Sequence, residues 1–314
     1  MNPATSTNLF GKCRDRANTP YLESVMRCSN AGFRVLDFSF VEPFFIETEL
    51  NGDDWEAKIA EVADAAARLG IRFTQSHLPY NPGYLPTWRD EEHRQFYREC
   101  CRRAILGSAM LEVPWAVAHP FTACGREEYD DDASVECNRE FYSEFIDLAL
   151  KNGVGIAFEN MIEYPQRRKF SARAEELAML VDSFQDPRIG ACWDFGHGHR
   201  MYRDLSRPVR ILQSRLKALH VNDNTGISDL HHLPFWGTVN WEEALAALGE
   251  IGYQGDFTYE VYGITKLMPD VLRDHAAKMA YHIADYCLQK YQLSQPAVSI
   301  EVCKKAPENV GRQG

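Results

Sequence analysis

No run of apolar residues in this chain reaches the roughly 20 that a membrane-spanning helix needs. The opening segment, M-N-P-A-T-S-T-N-L-F-G-K-C, has no apolar core flanked by positive charge, and a cytoplasmic location is expected. Paired cysteine spacing is also lacking. The nine cysteines are scattered, with Cys100 and Cys101 adjacent, which argues against a secreted disulfide framework or a zinc ribbon and leaves free buried thiols. Positive charge is in deficit, 34 Lys and Arg against 45 Asp and Glu, for a net charge of −11. That balance disfavours nucleic acid or anionic lipid as the main partner. Linkers and internal repeats are missing too, so residues 1–292 are taken as one domain and the polar stretch 293–314 as a C-terminal tail.

What the chain does contain is alternation. Helical periodicity marks Tyr21–Ala31, Asp54–Leu69, Arg89–Leu111, Ser134–Lys151, Ala172–Phe184, Asp204–Leu212, Trp241–Ile251 and Pro269–Tyr291. Strand-like runs lie between them, near Arg34–Phe40, Ile71–His77, Trp115–His119, Gly155–Glu159, Ile189–Asp194, Ala218–Val221 and Asp256–Glu260. An eighth strand is placed near Thr5–Gly11, chiefly because the count requires it. Repeated strand-then-helix order implies a parallel sheet with helical crossovers, and eight such units close into an α/β barrel, the (β/α)8 or TIM barrel.

The strand-like runs end in a consistent way. They stop at His77, His119, Glu159, Asp194, His220 and Glu260, each a residue able to ligate a metal or move a proton. Burying even a neutral polar group without a partner costs about 2–7 kcal/mol, so several that converge at one end of a barrel need a shared reason. A cation facing all of them supplies one. His197 follows Asp194 by three residues, and Asp229-Leu230-His231 stands in the loop after His220.

With those pieces in place, S-H-L-P-Y, A-H-P, F-E-N, D-F-G-H, H-V-N-D, D-L-H and Y-E in that order, the chain resembles the xylose-isomerase-like barrel superfamily. That superfamily holds sugar-phosphate isomerases and epimerases together with abasic-site nucleases of the endonuclease IV type. In the isomerase branch the resemblance implies one divalent ion, Mn, Mg, Co or Zn, held by Glu159, Asp194, His220 and Glu260. It further implies that Glu159 and Glu260 exchange a carbon-bound proton through a metal-stabilised enediolate of a sugar or sugar phosphate, and that His197 assists by binding a substrate oxygen. His77, His119, Asp229, His231 and Trp236 complete the substrate-binding set. The nuclease branch implies instead three zinc ions on His77, His119, Glu159, Asp194, His197, His220, Asp229, His231 and Glu260. A lyase or dehydratase would share the first step of the isomerase. The isomerase or epimerase reading is preferred on charge, and on the segment G-F-R-V-L-D-F-S-F, which resembles that branch. The arginine that some ketohexose 3-epimerases carry six residues after the His220 equivalent is replaced here by Gly226.

Other features carry plainer readings. Cys192 is a small core residue, and His199, His232 and Asp223 are loop residues. Arg200 and Lys266 are read as surface charges ahead of the alternative, contacts for a phosphate or carboxylate. The run Arg126–Asp132 is a solvated loop or lid. Phe44, Phe45, Tyr80, Tyr84, Trp88, Phe235 and Trp236 ring the expected barrel mouth and serve either sugar stacking or loop packing. A homo-oligomer is compatible with the tail.

Overall fold

Short apolar runs without polar alternation need cover on both faces, which a parallel sheet wrapped by crossover helices gives them. The computed structural model describes residues 1–80, 91–123 and 129–291. The tail 293–314, Tyr84, Trp88 and part of the acidic run lie outside the described residues. Eight strands form one sheet: β1 (Pro3–Ser6), β2 (Val35–Ser39), β3 (Arg72–His77), β4 (Trp115–Ala118), β5 (Gly155–Glu159), β6 (Ile189–Asp194), β7 (Leu216–His220) and β8 (Phe257–Tyr259). Every ladder is parallel, in the order β7-β6-β5-β4-β3-β2-β1-β8. One parallel bridge, Val221 to Tyr259, closes the ring. Its hydrogen bonds are Val221 N to Thr258 O at 2.8 Å and Glu260 N to Val221 O at 3.2 Å. The fold is a single-domain (β/α)8 barrel.

The surrounding helices are α1 (Tyr21–Ala31), α2 (Glu42–Phe45), α3 (Trp55–Leu69), α4 (Glu91–Met110), α5 (Asp131–Lys151), α6 (Ala174–Phe184), α7 (Phe195–Met201), α8 (Ser206–Leu212), α9 (Trp241–Glu250) and α10 (Asp270–Lys290). Large residues such as Trp193, Phe158 and Tyr142 are fully buried on the outer, helix-facing side. Inside the barrel the space is narrower, and Val117, Ala157, Cys192 and Ala218 fill it as a separate cluster of small side chains. Cys192 is therefore core.

Three local departures from the sequence pattern have identifiable causes. The first strand ends earlier than Thr5–Gly11 suggests, because Ser6 accepts a hydrogen bond from Asn8 N and Gly11 N returns to Asn8 O, turning Thr7–Phe10 into a 3-10 helix. The acidic run opens α5 rather than forming only a loop. Asp130 caps it through Ala133 N at 2.9 Å, and Asp131 and Asp132 lie where the helix dipole favours negative charge. Finally, α7 starts directly at the end of β6, with Asp194 as its cap.

Candidate active site

Parallel register brings the strand ends together. Asp194 pairs directly with His220 across β6 and β7, Glu159 pairs with Cys192 across β5 and β6, and His77 pairs with Ser39 across β3 and β2. In such barrels the carboxyl ends of the strands carry the chemistry. Here one ligand atom from each of Glu159, Asp194, His220 and Glu260 lies within 4.8 Å of every other. Three further groups meet the same criterion at the same end, His77-His119-Glu159, His77-His220-Glu260 and His197-Asp229-His231.

Glu159 is the hub. Its Oε2 lies 3.2 Å from His77 Nε2 and 2.9 Å from His119 Nε2, while its Oε1 lies 3.1 Å from His220 Nδ1 and 3.4 Å from His197 Nδ1. Glu260 Oε2 is 3.7 Å from His220 Nδ1 and 3.6 Å from His231 Nδ1. Asp229 Oδ2 bridges His231 Nε2 at 3.1 Å and His197 Nε2 at 3.7 Å.

Backbone carbonyls set the histidine tautomers. His77 Nδ1 donates to Leu78 O at 2.7 Å, His197 Nδ1 to Asn160 O at 2.8 Å and His231 Nδ1 to Glu260 O at 2.8 Å. A carbonyl only accepts, so the proton sits on Nδ1 and each Nε2 turns its lone pair toward a carboxylate. Lone pair facing lone pair is repulsive unless a proton or a cation stands between them.

Residues beyond the expected set hold these groups in place. Asn160 accepts from Asp194 N at 2.6 Å and donates to Asp194 O at 3.0 Å, locking the ends of β5 and β6 together. Asp194 Oδ1 accepts from His197 N at 2.7 Å and its Oδ2 from Asn222 Nδ2 at 2.7 Å. Only glycine fits at position 196, where a Cβ would collide with the Asn222 carboxamide. Asn8 donates to Glu260 Oε1 at 3.2 Å. Ser171 and His231 both adopt left-handed backbone, at φ 64° and 48°, and their side chains bond the backbone carbonyls of Glu159 and Glu260. Strained φ of this kind costs about 1–3 kcal/mol and persists where surrounding structure enforces it. Asparagines in loops after strands have ordinary turn readings; Asn160 and Asn222 stand in the F-E-N and H-V-N-D pieces without a role of their own there, and Asn8 carries no signal at all.

The electrostatics match a site short of positive charge. Burial opposes ionisation of Glu159, yet His220 and His119 outweigh it and hold its carboxyl well below the ordinary range. Burial pushes Asp194 up to about 6 and pulls His119 down to about 4. Against burial, Asp194 and Asp229 hold His197 well above the usual histidine range, and Asp229 lifts His231 to about 9. Acids in a dry site draw protons onto the neighbouring imidazoles. A bound divalent cation would supply that charge instead and reverse the local protonation.

The donor chemistry fits such an ion. Glu159 Oε1 and His220 Nδ1 are buried, 3.1 Å apart and without hydrogen-bond partners, and Asp229 Oδ1 is a third buried atom of this kind. Three carboxylates and one imidazole suit manganese, magnesium or cobalt and tolerate zinc.

Above this floor lies a cavity of about 560 Å³. His77, His119, Glu159, His197, Asp229, His231 and Glu260 line it, while Asp194 and His220 sit just beneath, fully buried. Glu42, Tyr262 and Lys169 also line it and were not anticipated. Of the expected aromatics, Phe45 and Tyr80 line the cavity and Phe44 is buried behind them against Tyr97. Trp236 does not line it. That side chain is 46% exposed and packs edge-on to His232. Asp223 organises its own loop, accepting from Phe235 N, Val239 N and Trp241 Nε1.

Among the described residues no helix is long and apolar enough to cross a membrane. Comparison with known proteins agrees with the architecture. A solved structure titled as a D-tagatose 3-epimerase-like protein superimposes with a TM-score of 0.71 at 21% identity, covering 93% of this chain and 99% of that one. A ketose 3-epimerase of Arthrobacter globiformis is 22% identical over 80% of each chain. A protein of Methanocaldococcus jannaschii is 27% identical over 59% of this chain and 62% of its own, so the chain spans under two thirds of that relative. The model of the xylose isomerase-like TIM barrel matches residues 25–281, and the chain belongs to that family.

Proposed function

We propose that this chain is a metal-dependent sugar isomerase or epimerase that moves a proton at a carbon beside a carbonyl. The observation that carries this reading is the convergence of Glu159, Asp194, His220 and Glu260 within 4.8 Å, with buried ligand atoms left unpartnered. A divalent ion bound there supplies Lewis acidity toward neighbouring oxygens of a sugar.

The chain's own residues do the rest. Glu159 and Glu260 stand on β5 and just past β8, on two sides of the cavity floor. One takes a carbon-bound proton and the other returns one, at the neighbouring carbon or on the opposite face. His197 and His77, oriented by Asn160 O and Leu78 O, offer Nε2 to substrate oxygens. Phe45, Tyr80 and Tyr262 wall the cavity and limit its water. The names of the similar proteins, a ketose 3-epimerase and a D-tagatose 3-epimerase-like protein, favour a ketose as substrate.

The test is solvent exchange. Manganese-loaded protein incubated with ketoses in deuterated water is expected to place deuterium on a substrate carbon, in time with formation of the epimer or isomer. Exchange accompanied by loss of water would indicate the dehydratase variant of the same chemistry. A second reading draws on two of the additional ligand groups, His77-His119-Glu159 and His197-Asp229-His231, whose six residues together with Asp194, His220 and Glu260 are of the types a trinuclear zinc nuclease would need. Three zinc ions per chain together with incision of an abasic duplex would establish it. One ion per chain and no incision would remove it.

A further inference from the structure

Two neighbouring cations at the barrel mouth are arranged differently from each other. On the loop from β5 to α6, Arg168 turns away from the cavity and is paired twice, with Glu163 at 2.7 Å and with Glu176. Its sequence neighbour Lys169 lines the cavity and makes no ion pair among the described residues. The backbone on both sides is pinned. Lys169 O accepts from Arg168 Nη1 at 3.0 Å, and Phe170 N donates to Thr122 Oγ1 at 2.9 Å under a fully buried ring.

Lys169 thus lines the cavity from a loop hydrogen-bonded on both sides of it, and among the described residues no acid forms an ion pair with it. Burial, followed by the charge of Arg167, draws the Lys169 pKa down to about 8, as expected of a cation short of a counter-charge. Lys12, from the loop after β1, and Lys266, from the loop after β8, reach the same cavity from the other side, also outside any ion pair among the described residues. Three lysines without an ion pair among the described residues, Lys12, Lys169 and Lys266, thus line the cavity that holds the ligand cluster described above, in a chain of net charge −11.

We propose that this cavity takes a sugar bearing an anionic group, phosphate or carboxylate, whose charge is met by Lys169 with Lys12 and Lys266 at the rim. This rests on the reading above that the floor binds the oxygens of a sugar. The floor and rim then divide the work. Carboxylates and imidazoles below take the cation and the polyol oxygens, and ammonium groups above select the charged end. Glycine at 226 adds no positive charge to the loop after β7, and among the described residues that line the cavity Lys12, Lys169 and Lys266 are its lysines and arginines.

The experiment compares three probes of one carbon skeleton, fructose, fructose 6-phosphate and fructuronate, titrated calorimetrically into manganese-loaded full-length protein at low ionic strength. At least one of the two acids is expected to bind about tenfold or more tightly than fructose. Preference for the phosphate identifies a phosphosugar site, and preference for the carboxylate a sugar-acid site. The preference is expected to fall to within about twofold in Lys169→Gln, to shrink with added salt, and to persist in Lys58→Gln, the same charge change on exposed α3. Melting temperature and manganese content, unchanged in Lys169→Gln, show that the fold and floor are intact. Equal binding of all three probes, no binding by either acid, or a preference that survives Lys169→Gln overturns the anion site. Retained acid preference with no deuterium exchange on any probe counts instead against the isomerase reading.

Discussion

The two arcs of the barrel that supply the ligand cluster are built to different standards. On one side β5, β6 and β7 pair over four residues at each seam, with one register shift between Ala191 and Cys192, and Glu159, Asp194 and His220 at their ends are fully buried, Asp194 directly opposite His220. On the other side β8 is a three-residue strand, joined to β7 by a single bridge, and Glu260 lies beyond its end, partly open to the cavity. Glu159 is surrounded by four imidazoles, whereas Glu260 leans on Asn8 and on the loop that carries His231. The rigid arc fixes the charge geometry. The looser arc holds its carboxylate with fewer groups, which under the proposed function suits the residue that returns a proton.

That contrast can be broken from either side, beginning with the largest expected effect. Glu159→Gln is expected to abolish deuterium exchange, a loss of at least about 10²–10⁴ in rate, and to lose metal as well, because it removes the charge that the four histidines face. Dialysis followed by elemental analysis and an exchange assay reads both. Glu260→Gln is expected to match it in lost exchange while keeping most of its metal, and equal metal loss in the two variants would erase the distinction between the arcs. Asn222→Ala is expected to weaken metal affinity about 10–100-fold with the fold intact, since it frees Asp194 Oδ2 from its donor, and manganese titration would show it. Chelation is expected to lower the melting temperature, by the equivalent of about 2.7 kcal/mol where the free ion had stood at a hundredfold over its dissociation constant. Trp236→Ala, outside the cavity, is expected to change neither KM nor kcat measurably.

Much of this was legible in the sequence because a parallel barrel forces it. Strands covered on both faces read as apolar runs, and a run that ends in Glu159, Asp194 or His220 betrays the end where burial gives way to chemistry. The supporting layer was not legible. Asn160, Asn222 and Asn8 look like ordinary loop residues until the fold shows that each bonds a residue of the cluster. Glu42 lies on an unanticipated single-turn helix and lines the cavity, its Oε2 accepting from Ser39 Oγ at 2.8 Å and from Tyr21 OH at 3.5 Å. Asp37 is another such residue, a fully buried inward acid on β2 whose Oδ2 accepts from Gln75 at 3.0 Å and lies 3.4 Å from His220 Nε2. Aromatics in loops carry no periodicity, so the sequence could not distinguish Tyr80, which lines the cavity, from Trp236, which does not.

The seam between β7 and β8 has a kinetic meaning. Cooperative opening starts where the fewest hydrogen bonds must break together, and here that place is a single bridge flanked by Val221 and Glu260. The amides of Val221 and Glu260 should therefore exchange with solvent earlier than those along β5 and β6, and a ligand that spans the floor would slow them selectively. Protection at those two amides would report occupancy of the cavity without any knowledge of the reaction.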